Sequence, residues 1–263
     1  MTTPDKVPLI YGTIYGDRLI CGPTSVSNGK LSITEPIPVS TIDALKTREK
    51  RGKVIVADIE SLNGNRFVPG FADRCRISGN DIWLIETVHT VDDVFDAFIG
   101  NADKMIVPFH TMKSEKAFAE LLNISEDCIP LITCRDGKTM SRRTPEIIGA
   151  VRNLTDIGYR SIMVADTDGN VPDGIWDILN NGICEITAYS PLRRSDAVTN
   201  ADRVALDLFP FTSTSYLQGR SQNPLPSMQP DPRSYHRSWR SPVPPPIPSL
   251  RCWTSISSRT LHF

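Results

Sequence analysis

The sequence is poor in the features that would place it quickly. It has no excess of either charge, with 29 basic and 30 acidic side chains and a formal net charge of -1. Bulk electrostatics therefore give no reason to expect a nucleic-acid partner or an anionic membrane surface. No apolar run approaches the ~20 residues of a membrane helix, and the opening MTTPDKVPLI lacks the apolar stretch of a secretory signal. The six cysteines are scattered without a C-x-x-C pair. That spacing argues against a structural zinc or a disulfide framework and fits a reducing cytoplasm. No metal or cofactor motif is present, so none is expected. The expected partner is a small-molecule substrate.

What is present divides near residue 210. From Pro210 to Phe263 the chain has ten prolines and eleven serines but no lysine and no glutamate. Proline at that density removes backbone donors and blocks helix. The stretch 213–263 is expected to be disordered. It reads as an extension or as a terminus foreign to the rest, with Pro242–Pro248 also suited to a proline-binding domain.

Residues 1–212 alternate short apolar, β-branched runs with helical patterns. Strands are expected at Val7–Ile14, Val54–Asp58, Ile82–Glu86, Lys104–Phe109, Ile129–Cys134, Ser161–Asp166, Ile183–Thr187 and Arg203–Leu208. Their continuous apolarity suits strands buried on both faces of a parallel sheet. Helices are expected at Ser40–Lys50, Thr90–Phe98, Ser114–Leu122, Thr144–Leu154 and Asp173–Leu179, with Thr90 and Ser114 as caps.

An internal repeat chooses between an open sheet and a barrel. VPLIYG (Val7–Gly12) matches IPLITC (Ile129–Cys134). KVIVAD (Lys53–Asp58) matches SIMVAD (Ser161–Asp166), and NADK (Asn101–Lys104) matches NADR (Asn200–Arg203). Three matches in one order describe two four-strand units, about 6–124 and 125–212. They predict an α/β fold, a (βα)8 TIM barrel of two (βα)4 halves. About a dozen residues separate Tyr189 from Arg203, and no helical period follows Leu208. The last helices should therefore be reduced or missing, leaving a barrel side open to self-association.

The half-barrel repeat, VPLI before a Gly-Asp-Arg turn, KVIVADIESLNGNR and ITCRDGKTMSR together resemble the HisA/HisF barrel family of histidine biosynthesis. In style they are nearest its relatives in methanogenic archaea. The resemblance spans about Lys6 to Phe211. It implies an isomerase or lyase acting by carboxylate acid–base chemistry on a small phosphorylated or carboxylated metabolite. Two departures stand out. Tyr11 and Cys134 occupy the places of the isomerase's two aspartates. The glycine turns that would hold phosphate are replaced by Glu86-Thr87-Val88-His89 and Ala188-Tyr189-Ser190-Pro191. The chain is thus expected not to be the ribotide isomerase itself, and a non-catalytic paralogue kept for assembly is the alternative.

Strand ends at the barrel mouth supply the candidate site. Asp58 and Asp166, equivalent in the two halves, read as an acid–base pair or as structural caps of the turns that follow. Cys134 reads as a nucleophile activated by nearby positive charge, or as a small buried side chain. Glu86, His110, Arg135, Asp168 and Arg193 are the substrate-binding candidates, the arginines standing in for the missing glycine turns. The string IMVADTDGNV also resembles the aspartyl-phosphate loop of haloacid-dehalogenase phosphatases, but the internal repeat already accounts for it.

Overall fold

A computed structural model describes residues 4–27, 30–42, 52–75, 80–182, 184–192, 196–209 and 211–213. Eight strands form the staves. They are β1 (Asp5–Tyr15), β2 (Gly52–Asp58), β3 (Asn80–Ile85), β4 (Lys104–Pro108), β5 (Cys128–Arg135), β6 (Ser161–Asp166), β7 (Glu185–Tyr189) and β8 (Arg203–Asp207). All neighbours are parallel, and β8 returns to pair with β1 through Asp5↔Arg203 to Leu9↔Asp207. The sheet is closed, a (βα)8 barrel.

Helices follow the strands: α1 (Ile59–Gly64) and α2 (Phe71–Arg74) after β2, then α3 (Val91–Ile99), α4 (Glu115–Ile124), α5 (Ile147–Ile157), α6 (Asp173–Asn180) and α7 (Asp196–Thr199). Local chemistry sets their ends. The Thr90 hydroxyl accepts from the Asp93 amide, and the Asp93 carboxylate accepts in return from the Thr90 amide. This reciprocal cap satisfies two of the helix's orphan donors. Ser114 caps α4 in the simpler way. Helix α5 starts after Glu146, later than the expected start at Thr144, and stops at Gly158 with φ +118°. It buries Ile147, Ala150, Val151 and Leu154, the i, i+3, i+4, i+7 stripe of a helix lying on a sheet. The single turn of α7 agrees with the reduced seventh helix. Among the described residues no helix follows β8, where Leu206 is 37% exposed. The expected helix at Ser40–Lys50 and the tail beyond Ser213 lie outside the described residues.

The repeat is visible in the hydrogen bonds. Asp103 ahead of β4 accepts from the Ile82 amide of β3 at 2.8 Å. Asp202 ahead of β8 accepts from the Ile186 amide of β7 at 2.8 Å. The two Asn-Ala-Asp motifs therefore do one job in both halves, joining the third strand of each half to the fourth.

Side chains alternate across each stave, so the barrel carries two apolar layers. The outer layer packs strands against helices and includes Phe71, Phe118, Leu121 and Trp176. The inner layer fills the lumen with Val7, Leu9, Ile55, Trp83, Ile106, Ile129, Leu131 and Met163.

The connection from β1 to β2 holds structure that the sequence reading did not include. Arg18–Cys21 folds back on β1 and pairs in turn with Ile37–Pro38. Thr24–Ser27 and Lys30–Ile33 form a second hairpin, joined by Phe211–Ser213 after β8. Asn63 of α1 ties this small sheet down. It accepts from the Leu31 amide and donates to the Leu31 carbonyl, both at 2.7 Å. Asn28-Gly29, flanked by TSVS and KLSI, is a hairpin signal that could have announced it. No helix among the described residues is long and apolar enough to cross a membrane.

Candidate functional site in the barrel mouth

A cavity of about 860 Å³ opens at the C-terminal ends of the staves. Its floor is the top of the luminal layer: Leu9, Ala57, Ile85, Leu131, Met163 and Ala165. Its roof is the three-stranded sheet, which contributes Val26, Ser27, Leu31 and Phe211. Polar groups stand on two sides. His110, Thr133, Arg135, Asp136, Thr167 and Asp168 come from the ends of β4, β5 and β6, whereas Tyr11 and Tyr189 come from β1 and β7. The size suits a small organic ligand.

Alternation decides which candidates reach this space. Ala57, Ile85, Thr133 and Ala165 face the lumen, so the next residue on each chain, Asp58, Glu86, Cys134 and Asp166, faces outward. None of these four lines the cavity, and all are fully buried. This corrects the expectation of a luminal carboxylate pair. Asp58 and Asp166 do end equivalent strands and do share a direction, but that direction is away from the lumen. Asp58 caps α1, accepting from the Glu60 amide at 2.8 Å. Asp166 accepts from the amides of Asn170 and Val171 at 3.1 and 3.2 Å, shaping the turn after β6. Burial raises both carboxyls, Asp58 to about 6, against the opposing pull of those amides.

Glu86 is likewise placed behind the wall. Its Oε1 accepts from the Val68 amide at 2.7 Å, and its Oε2 is buried without a partner. Burial pushes this carboxyl up to about 8, helped by negative charge on Asp58. Cys134 is corrected for the same reason. The repeat pairs Thr133, not Cys134, with Tyr11. The counterpart of Cys134 is Gly12, where a Cβ would come within 2.8 Å of Leu19 Cδ1. Burial, reinforced by Asp166 and Asp168, raises the Cys134 thiol to about 12, which holds it protonated and unreactive at neutral pH.

The other candidates do meet. Arg135 reaches the cavity from the strand position just before a two-residue turn, Asp136-Gly137 at φ +52° and +69°, closed by Lys138. Two successive positive φ angles are what an Asp-Gly hairpin supplies. Asp168 holds the tip, accepting from the Asp136 amide at 2.6 Å and from Asn170 Nδ2 at 2.9 Å. Burial works to raise the Asp168 carboxyl. The donors around it outweigh this and keep it below the ordinary carboxylate range, hence ionised. The Arg135 side chain is exposed to the cavity and has no ion pair or hydrogen bond among the described residues. His110 is half-buried, its Nδ1 has no partner, and burial lowers its pKa, so the imidazole is neutral at pH 7. Arg143, by contrast, is occupied with the carbonyls of Met112 and Lys113. Arg193 lies outside the described residues.

One constellation escaped the sequence reading although its residues were in view. The Tyr11 hydroxyl donates to the Tyr189 hydroxyl at 3.0 Å, and the Tyr189 hydroxyl donates to Asp207 at 2.9 Å. The chain links β1, β7 and β8 across the barrel closure. Closure of the barrel brings residues 11, 189 and 207 together.

Among the described residues, no group of three or more His, Cys, Asp or Glu side chains could hold a metal ion. In comparison with known proteins, no family model and no curated protein matches the chain.

Proposed function

We propose that the protein is an acid–base enzyme, an isomerase or lyase of the HisA/HisF-like kind, acting on a small phosphorylated or carboxylated metabolite in the mouth cavity. The observation that carries this reading is the pairing of unspent groups on neighbouring staves. Arg135 is an unpartnered cation and His110 a neutral imidazole, both on the wall of one apolar-floored cavity. Arginine offers a planar fork that matches carboxylate or phosphate. A neutral histidine near the bound anion takes a proton and returns it, the step shared by isomerisation and elimination. Asp168 orients the turn that carries Arg135. The acid–base role moves from Asp58 and Asp166, which serve the turns behind the wall, to His110.

A screen by thermal shift with sugar phosphates, aminoimidazole ribotides and short carboxylates tests the reading. Ligands that raise the melting temperature should do so through Arg135. With a turned-over ligand in hand, His110→Gln should lower turnover by roughly 100-fold or more while leaving binding within a few fold. Ligand stabilisation that survives Arg135→Met unchanged would reject the site. Binding without turnover in the wild type would favour the non-catalytic alternative.

A further inference from the structure

The chain just after β2 and β3 spends its backbone donors inside the protein. The Glu60 amide donates to Asp58 at 2.8 Å, and the Val68 amide to Glu86 at 2.7 Å. The Thr87 amide donates to the Ser61 hydroxyl at 2.7 Å, and the His89 amide to Asp93 at 2.9 Å. These acceptors belong to the buried carboxylates behind the wall and to helices α1 and α3. The four amides are therefore already paired, and a hydroxyl or phosphate in the cavity would have to compete for them.

What this arc shows the cavity instead is hydrocarbon. Ala57 and Ile85 end the staves, Leu62 projects from α1, and Leu31 and Phe211 close the space from the roof. The neighbouring Tyr11 spends its hydroxyl proton on Tyr189 at 3.0 Å, and its ring leans on Phe211 at 5.7 Å between centroids. In the closed order β1 and β2 lie opposite β5 and β6. That facing arc holds the hydroxyls and charges, and it carries both signs, with Asp136 and ionised Asp168 lining the cavity together with Arg135. The cavity is thus dry on one side and polar on the other. A hydroxylated group laid on the dry side would give up water without gaining partners, whereas an apolar group gains by leaving water.

We infer that the cavity selects a ligand with an apolar body, a compact hydrocarbon ring or branched chain, lodged between the β1–β3 arc and the roof, with its polar head on the β4–β6 arc. A sugar or another polyol does not suit that position. The inference rests on the proposed function for the head at Arg135 and adds the chemistry of the body.

Isothermal titration of the full chain with three phosphate monoesters that differ in the body tests it: methyl phosphate, cyclohexyl phosphate and ribose 5-phosphate. Cyclohexyl phosphate should bind about 10-fold tighter than methyl phosphate, the scale of burying part of a hydrocarbon ring. Ribose 5-phosphate should gain nothing over methyl phosphate. Leu31→Thr in the roof and Leu62→Gln on α1 change half-buried side chains. Each should shrink the cyclohexyl preference about 3-fold and leave methyl phosphate affinity unchanged. Equal affinity for cyclohexyl and methyl phosphate, ribose 5-phosphate bound as tightly as cyclohexyl phosphate, or a preference untouched by both substitutions would each overturn the inference. Arg135→Met separates the two readings. If the three esters bind equally and all weaken in that variant, this inference alone falls. If the cyclohexyl preference holds and responds to Leu31 and Leu62 while Arg135→Met changes nothing, the body site stands and the anion site of the proposed function falls. No binding of any ester would overturn both.

Discussion

The two ends of the barrel use charge in opposite ways. At the N-terminal end Lys53, Lys104 and Arg203 gather over the Trp83 ring, 5.8, 5.6 and 5.4 Å from its centroid. Each also has a carboxylate. Lys53 donates to Asp5 at 2.9 Å, Lys104 to Asp127 at 2.8 Å, and Arg203 pairs with Glu185. The lumen is closed there by an aromatic plate under neutralised charge. At the C-terminal end Arg135 has no such partner, and His110 has a buried nitrogen with none. The same eight strands thus end in a spent surface on one side and an unspent one on the other. The buried His110 nitrogen without a partner costs free energy, and the mouth carries that cost where a ligand could relieve it.

The comparison breaks most directly at its two arginines. Arg135→Met should weaken anionic ligands roughly 100-fold, close to 3 kcal/mol, because a charge-assisted bond is lost from an apolar-floored cavity. Arg203→Met at the other end should leave ligand affinity unchanged in the same titration. Comparable losses from both variants would show that the ligand does not discriminate between the two ends.

A second contrast lies within the mouth, between groups that face the cavity and groups one residue away that face the helices. Glu86 is the sharpest case. Its folded pKa of about 8 stands above the ordinary value of 4.5. The folded state therefore holds the proton more tightly than the unfolded chain. The protonated group's contribution is intact at pH 4 and is lost as pH rises through about 8. Glu86→Gln keeps an acceptor for the Val68 amide but cannot ionise. It should be more stable than the wild type by several kcal/mol at pH 9 and nearly equal to it at pH 4. Denaturant titrations at the two pH values measure this, and parallel pH dependence in both proteins would contradict the placement. Asp166→Ala should cost about 1–2 kcal/mol of stability at neutral pH, since the turn after β6 loses the hydrogen bonds from the Asn170 and Val171 amides to Asp166.

These contrasts also mark what the sequence could and could not disclose. Barrel architecture was legible because three repeated motifs kept their order, and the Asn-Ala-Asp pair even keeps its hydrogen bonds. Strand ends were legible to within a residue or two. That is too coarse for a site, since side chains alternate faces and a one-residue difference exchanges Thr133 for Cys134 or Ala165 for Asp166. His110, Arg135 and Asp168 reach the cavity, whereas Asp58, Glu86, Cys134 and Asp166 fall on the wrong parity. The lumen-facing partners, alanine and isoleucine, carry no chemical signal to attract attention. The Tyr11–Tyr189–Asp207 chain was hidden for another reason: its members belong to three staves, and closure of β8 on β1 makes those staves neighbours without saying which side chains on them touch.

The smallest expected effect belongs to the closed end. Lys104 is about one-third exposed, and its partner Asp127 is about half exposed, at 32% and 54% of their side chains. Exposed pairs of this kind contribute under ~1 kcal/mol, because water already solvates both charges and salt screens them. Its place over Trp83 adds a cation–π contact that Lys53 and Arg203 also make, so one cation of the three is partly redundant. Lys104→Met retains most of the aliphatic stem that packs on the ring. It should lower stability by less than ~1 kcal/mol, with the difference shrinking further in high salt. A loss of several kcal/mol, or one that persists in high salt, would mean that the floor is held by its charges and not by the apolar plate beneath them.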